Sequence, residues 1–152
     1  MTRDWQIHDW RPLPPLLEEV KEIAVAELHR RLGEAGHAAI RPAHGCVFRF
    51  IDREGSRLTE LAERSGHSKQ AVGEVVADLE VLDYVERVPD PADRRAKIIR
   101  LTELGWEAQR EALEIFADIE RRWAEEVGEG RVATMREALE RIVELERSPV
   151  PA

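Results

Sequence analysis

Apolar residues recur three or four positions apart at both ends of the chain, which is typical of helices with one apolar face. The first stripe, Leu16 to Leu32, predicts a helix that ends at Gly33 or Gly36. Two further stripes, 104–127 and 132–143, predict a long helix broken at Gly128 and Gly130 and a last helix that stops at 148–149. Another helix is predicted over 37–50, with Pro42 in its early turns.

The middle of the chain predicts two short helices joined by a tight turn. Thr59 is placed to cap the first helix, and Ser65-Gly66 ends it, because glycine accepts the left-handed position after a helix. Ser68 caps the second helix, predicted from Lys69 to Leu82 by valines and leucines three and four apart. This arrangement is a helix-turn-helix.

A small hairpin follows, with strands predicted over Tyr84–Val88 and Lys97–Leu101. Between the strands lies the loop DPADRRAK, residues 90–97. The stretch from Arg87 to Arg100 holds five basic and two acidic residues, a net charge of +3 in a chain of net charge −8. The predicted fold class is therefore mainly α with a small β-hairpin wing: a winged helix-turn-helix with N- and C-terminal dimerisation helices.

Composition excludes several classes of protein. No apolar run approaches the roughly 18 residues of a membrane-spanning helix, and no signal peptide is visible. A single cysteine, Cys46, suits a reducing compartment, so we expect a cytoplasmic protein that meets no membrane. We find no glycine-rich phosphate loop, no nucleophile with a base, and no metal-ligand set, so we expect neither an enzyme nor a cofactor or metal.

The start of the second helix of the helix-turn-helix is the predicted recognition element, comprising Ser68, Lys69, Gln70 and Val72. Lysine can contact phosphate or guanine, and glutamine can make a two-point contact with adenine. Gly73 costs helix stability, which either a close approach of DNA or close packing of another helix would explain. Three later acidic residues must face away from phosphate: Glu74, Asp78 and Glu80.

The basic hairpin tip is the second predicted DNA contact. Arg94 and Arg95 are placed to enter a minor groove, where narrow A·T tracts attract arginine. Asp93 is interpreted as a brace that orients one of the two guanidinium groups. Lys97 and Arg100 are interpreted as phosphate contacts.

The terminal apolar stripes exceed what a compact winged domain can cover, so a second copy of the chain is expected to bury them. Trp5 and Trp10 are interpreted as a clamp on the partner subunit. The predicted organisation is an N-terminal arm and dimerisation helix (1–36), a winged helix-turn-helix DNA-binding domain (37–101) and C-terminal dimerisation helices (102–152).

The run LTELAERSGHSKQAVGEVVADLEVLDYVERVPDPADRRAKIIRLTELG, which begins at Leu58, resembles the MarR family of winged helix-turn-helix transcriptional regulators. The strongest part is DPADRRAK followed by LTELG, which is similar to that family's wing and next helix. Two departures stand out. Asp83 lies where relatives commonly have glycine, though aspartate tolerates a left-handed conformation. The recognition helix is acidic, which makes dimeric binding more necessary.

The resemblance implies an interlocked homodimer that binds double-stranded DNA at a palindromic operator, controlled by a small anionic or aromatic effector or by cysteine oxidation. Effector-pocket candidates by position are His44 and Trp106, packing being the alternative role for Trp106. Cys46 does not lie near the start of the first helix, where redox-sensing relatives carry their cysteine, so we interpret it as a small buried hydrophobic residue.

Two functions remain open at this point. The first is a sequence-specific, homodimeric DNA-binding transcriptional regulator, a repressor released by a small-molecule effector. The alternative is a winged-helix dimer that binds another protein through its acidic faces without binding DNA, which leaves Arg94 and Arg95 unexplained.

Overall fold

The computed structural model describes residues 11–148, which are mostly helical with one two-stranded antiparallel sheet, as the sequence predicted. The elements in chain order are α1 (Leu13–Glu34), a 3-10 turn (Pro42–His44), α2 (Gly45–Phe48), α3 (Leu58–Ser65), α4 (Lys69–Val81), β1 (Val85–Pro89), β2 (Lys97–Leu101), α5 (Glu103–Val127) and α6 (Glu129–Arg147). The chain forms two compact units, Met1–Leu113 and Glu114–Ala152. The predicted three-part division remains a prediction.

The helix-turn-helix packs around buried apolar residues in the first unit. Leu61 of α3 and Val72, Val76 and Leu79 of α4 have no exposed surface. Burying a side chain of this size stabilises the fold by about 1.5–3 kcal/mol. The spacing of the three α4 residues defines the inner face of that helix, so the opposite face remains available for a partner.

The hairpin pairs β1 with β2 in the register Val85↔Leu101 to Pro89↔Lys97. Ser56 adds a single bridge to Ile99, donating its N–H at 2.8 Å and accepting one at 2.9 Å. Pro89 ends β1 without a backbone donor, which suits a strand end. The predicted strands are confirmed to within one residue.

A left-handed residue makes the turn from the recognition helix into the hairpin. Asp83 has φ 66°, as the sequence allowed. Thr102 lies beside it: its Oγ1 donates to the Asp83 carbonyl at 2.6 Å and accepts the Gly105 N–H at 3.1 Å. Thr102 thus caps α5 and ties the start of that helix to the turn.

The second unit consists of the end of α5 and α6. Ile115, Ile119 and Val132 are buried, and Arg136 of α6 forms an ion pair with Glu120 of α5. Gly128 separates the helices with φ 106°. Gly130, predicted as a second break, is instead inside α6, because one left-handed residue is enough to end α5.

The predicted helix over 37–50 is wrong. Only a 3-10 turn and the four residues of α2 are helical there. Pro42 disfavours helical geometry for the residue before it, and Arg41 is accordingly extended (φ −109°, ψ 160°). His44 replaces the missing helical partner, since its Nδ1 accepts the Arg41 N–H at 3.0 Å.

The predicted cap at Thr59 is also wrong. The first helix of the helix-turn-helix begins two residues earlier than that cap requires, at Leu58, with Arg57 as its N-cap. The Glu60 carboxylate accepts the Arg57 N–H at 3.3 Å, so the glutamate three residues on determines where the helix starts.

Trp5 and Trp10 lie outside the described residues. Between residues 11 and 148 no helix is long and apolar enough to cross a membrane.

Candidate nucleic-acid interface

The N-terminus of α4 is capped and exposed, as a recognition helix requires. Gly66 takes the left-handed position after α3 (φ 72°), and the Ser68 Oγ accepts the Ala71 N–H at 3.1 Å. Ser68, Lys69 and Gln70 are all exposed. Their side chains are therefore free to meet phosphate and base edges.

Val72 does not belong to that surface. It lies on the recognition helix as predicted, but its side chain is completely buried. One position in each turn of the helix must face the core, and Val72 fills that place. We therefore assign it to support of the helix rather than to a DNA contact.

The outward face of α4 carries two small residues beside Gln70. Gln70, Gly73 and Ala77 are three and four residues apart and so share one side of the helix. A Cβ added at Gly73 would meet only the Leu58 Cδ2, at an ordinary 3.8 Å. Close packing within the chain therefore does not explain Gly73. Ala77 is a small exposed residue of the same face, and its charge and polarity gave no reason to predict it as a site residue.

Two of the three acidic residues on α4 are neutralised by ion pairs. Asp78 accepts from Arg41 at 2.7 Å and from His44 at 2.6 Å. These bonds, first that from His44 and then that from Arg41, lower the pKa of Asp78. Glu80 accepts from Arg87 at 2.7 Å, which leaves Glu74 as the exposed acid with no ion pair among residues 11–148.

Asp93 braces the wing in a different way from the one predicted. Its Oδ1 accepts the backbone N–H of Arg95 at 3.0 Å, and its carbonyl accepts the Ala96 N–H at 2.9 Å. The carboxylate thus orders the backbone of the loop instead of holding a guanidinium group. This local bond is typical of aspartate in turns.

A second aspartate, which the sequence analysis missed, fixes the base of the wing. Arg57 donates from Nε at 3.0 Å and from Nη2 at 2.6 Å to Oδ2 of Asp90. The other oxygen of Asp90 accepts the Ala92 N–H at 2.9 Å. The Ala92 bond and then the Arg57 bond lower the pKa of Asp90, so a nearly buried carboxylate stays charged and joins the wing to the start of α3.

The cations of the hairpin divide into two groups. Arg87 forms an ion pair with Glu80, and Arg100, which was predicted to contact phosphate, forms one with Glu86 at 2.6 Å. The other three cations are exposed and form no ion pair within residues 11–148: Arg94, Arg95 and Lys97. The wing tip is therefore an uncompensated positive surface.

A cleft of about 440 Å³ opens along one flank of α4. It is lined by Arg41, Ala43, His44, Cys46, His67, Ala71, Glu74, Val75 and Asp78. Of the two predicted effector-pocket residues, His44 lines this cleft and Trp106 does not. Trp106 is half-buried near the start of α5.

Cys46 is half-buried at this cleft, and burial raises the pKa of its thiol. A raised pKa leaves less of the reactive thiolate at neutral pH. Two further histidines have partners within the fold: His29 bonds the Ile40 carbonyl at 3.0 Å and His37 the Tyr84 hydroxyl at 2.9 Å. In the described part of the chain, no three His, Cys, Asp or Glu side chains converge to hold a metal ion.

Fold and site together define a winged helix-turn-helix protein of the DNA-binding class. Residues 40–96 match the sequence model of the MarR family. A comparison with curated protein sequences gave no match.

Solved structures of the same fold agree with this assignment. The transcriptional regulator Tm0710 from Thermotoga maritima is 26% identical with a TM-score of 0.60, covering 88% of this chain and 93% of that one. CouR from Rhodococcus jostii RHA1, bound to p-coumaroyl-CoA, is 24% identical with a TM-score of 0.72 and coverages of 97% and 100%. A mutant of MepR from S. aureus, bound to an oligodeoxyribonucleotide, is 17% identical with a TM-score of 0.59 and coverages of 91% and 100%.

Residues 40–96 therefore match the MarR family, and the resemblance found in the sequence is confirmed over that part of the chain. The MarR family consists of transcriptional regulators rather than enzymes, and Tm0710 is a transcriptional regulator. DNA-binding regulation is the function that these two matches support.

Proposed function

We propose that this chain is a homodimeric, sequence-specific repressor that binds a palindromic operator and is released by a small effector. The observation that carries the proposal is the separation of charge in the hairpin. An acidic chain of net charge −8 leaves three cations unpaired at the wing tip and pairs the other two. Phosphate is the partner that such a tip favours.

The proposed contacts follow from what is exposed. Lys69 and Gln70 meet base edges in the major groove, with Ser68 at a phosphate. Arg94 and Arg95 enter the adjacent minor groove, in a loop ordered by Asp93, and Lys97 contacts the backbone. The MepR mutant bound to an oligodeoxyribonucleotide supports a DNA partner for this fold.

The dimer part of the proposal rests on exposed apolar residues. On α1 these are Leu13, Leu17, Val20 and Ile23; on α6 they include Met135, Ile142, Val143 and Leu145. Exposed apolar residues grouped on a helix mark interaction surfaces. A dimer would place two recognition helices about one DNA turn, or about 34 Å, apart, so that one half-site falls to each subunit.

The effector part of the proposal rests on the cleft beside α4, which has the size of a small-molecule site. Its one charged group without an ion pair in the described chain is Glu74, which favours an aromatic effector over an anionic one. CouR bound to p-coumaroyl-CoA supports ligand binding by this fold. A ligand here would touch four residues of α4 and would release DNA through a differential affinity for the free and bound conformations.

The test is a fluorescence-anisotropy titration with a duplex selected from a random library. The Arg94→Ala/Arg95→Ala variant is compared with Arg87→Ala/Arg100→Ala, which removes the same charge from paired positions. Both variants lose the long-range attraction of two positive charges, and for the second variant we expect that loss to be about threefold or less in affinity. The first variant should also lose direct contacts with DNA, so we expect it to lose at least about tenfold.

Equal losses of affinity in both variants would mean that the wing contributes only non-specific electrostatic attraction to DNA. Absence of selective binding by the folded wild-type dimer would favour the protein-interaction function instead. Sedimentation of Ile23→Glu against Val81→Glu, an exposed valine on α4, tests the dimer separately, and only the α1 variant should dissociate.

A further inference from the structure

The recognition helix is tied along one flank to the irregular segment 41–44. Asp78, near the end of α4, accepts one bond from Arg41 and one from His44, both at the same oxygen. His44 lies three residues after Arg41, with Pro42 and Ala43 between them, in the segment where a helix was wrongly predicted. The irregular backbone there brings both donors to the same carboxylate.

The His44 side chain is committed to this role by both ring nitrogens. It is 1% exposed. Its Nδ1 accepts the Arg41 N–H at 3.0 Å, so that nitrogen holds no proton. The proton is therefore on Nε2, which donates to Asp78 at 2.6 Å. The ring has one orientation in which both bonds form.

The geometry of α4 shows what this tie restrains. Its inner face packs through Val72, Val76 and Leu79, which fixes the distance of the helix from the core. At 3.6 residues per turn Asp78 lies roughly 80° around the axis from Gln70. A bond on the flank resists rotation of the helix about its axis, and such a rotation would move Gln70 sideways across the base edges.

We propose that His44 and Asp78 are positioning residues that set the rotation of α4 and thereby the direction in which Lys69 and Gln70 meet DNA. This inference rests on the proposed function, in which those two side chains contact bases. It assigns a role in specificity to residues that touch no DNA. Arg41 neutralises the exposed side of the same carboxylate and adds less, because its side chain is 67% exposed.

The test compares Asp78→Ala with Glu74→Ala, without any ligand present. Both remove one negative charge from the same helix and the same cleft, but Glu74 forms no ion pair or hydrogen bond among the described residues. The measured quantity is the ratio of affinities for the library-selected duplex and a shuffled duplex. We expect this ratio to fall about tenfold in Asp78→Ala, the size of one lost two-point base contact, and to stay within about twofold in Glu74→Ala.

A second pair of variants separates positioning from mere folding. Glutamine at position 44 places an amide donor close to where Nε2 lies, whereas leucine fills the space without a donor. We expect His44→Gln to keep the selectivity ratio within about threefold and His44→Leu to lose about tenfold, with affinity for the shuffled duplex unchanged in both. Denaturant unfolding shows which variants are folded. If His44→Leu is not folded, the selectivity ratio of Asp78→Ala alone tests the proposal.

Unchanged selectivity in a folded Asp78→Ala protein overturns the proposal, as does an equal loss in Glu74→Ala. A selectivity ratio that falls as far in His44→Gln as in His44→Leu overturns the role of the His44 donor. If the wild type itself shows no selectivity, the proposed function fails and this inference falls with it, so the two failures are distinguishable.

Discussion

The guanidinium group of Arg57 lies on the carboxylate of Asp90, with Nε at 3.0 Å and Nη2 at 2.6 Å from the same oxygen. These residues are 33 positions apart and belong to the start of α3 and the base of the wing. The bond therefore joins the helix-turn-helix to the hairpin. The wing tip takes its place from this joint, since its own loop is ordered only by local bonds to Asp90 and Asp93.

Asp90→Asn is expected to weaken DNA binding without changing any group that contacts DNA. Asparagine keeps the shape but loses the charge that holds Arg57, so the wing gains freedom that binding must then remove. We expect an affinity loss of about three- to tenfold, measured by anisotropy on the selected duplex. Asp93→Asn is the control, because asparagine keeps an oxygen acceptor for the Arg95 N–H; a larger loss there would contradict the role of the joint.

The same carboxylate should contribute to acid sensitivity. Its pKa is lowered in the folded chain, so its stabilisation is complete above the unfolded value, about 3.9 for aspartate, and is lost as pH falls through the lower folded value. The difference in unfolding free energy between wild type and Asp90→Asn should be constant from about pH 7 to pH 5 and shrink below about pH 4. Urea unfolding at each pH measures this difference in free energy. A difference that grows on acidification would contradict a lowered pKa of Asp90 in the folded chain.

Two glycines in helices should respond oppositely to alanine. At Gly105 an added Cβ would stand 2.1 Å from the Tyr84 carbonyl oxygen, so Gly105→Ala should lower the free energy of unfolding by about 1–3 kcal/mol. At Gly73 the nearest atom is 3.8 Å away, so Gly73→Ala should raise it by about 1 kcal/mol. Chemical denaturation gives both values.

Gly73→Ala also resolves why glycine stands on the recognition helix. If DNA approaches the backbone there, the more stable variant should bind the selected duplex more weakly. Unchanged affinity together with higher stability would leave Gly73 without a DNA role.

The sequence was a good guide wherever one local rule decides the structure. Ser68 had to cap a helix because a serine before an apolar run supplies the missing acceptor, and it does so at 3.1 Å. Asp83 had to turn left-handed between a helix and a strand, and it does. The exposure of Arg94 and Arg95 followed from a charged, proline-bearing loop between two strands.

The sequence was a poor guide where two distant residues decide. The pairing of Arg57 with Asp90, or of His44 with Asp78, spans more than 30 positions, and nothing in the local pattern favours these partners over other charged residues. The same holds for 37–50. The helical spacing of its apolar residues predicted a helix despite Pro42, because the contact that stabilises the irregular backbone comes from the His44 side chain and is not visible in that spacing. Val72 was placed among the recognition residues because it lies in the first turn of α4, although the apolar spacing of that helix already puts it on the inner face.

Val72 and Gln70 should separate stability from recognition. Val72→Ala removes two buried methyl groups and should lower the free energy of unfolding by about 2 kcal/mol. Gln70→Ala removes an exposed side chain and should leave stability within about 0.5 kcal/mol. The effect of Gln70→Ala should instead be on recognition, reducing discrimination at one A·T pair of the selected duplex by about 1–3 kcal/mol. A stable Val72→Ala protein with lost base discrimination would return Val72 to the DNA contacts.

Lys97 should act through charge alone. It lies at the start of β2, exposed and without an ion pair in residues 11–148, and its proposed contact is with the phosphate backbone rather than with a groove. Each phosphate contact releases bound counterions, so Lys97→Gln should flatten the slope of log affinity against log salt by about 1 and weaken selected and shuffled duplexes alike. Arg100→Gln, which removes a cation already paired with Glu86, should flatten that slope by less. A Lys97 variant that loses selectivity with an unchanged salt slope would place this lysine at a base edge instead, and the wing would then have to lie deeper in the groove than two arginines at its tip require.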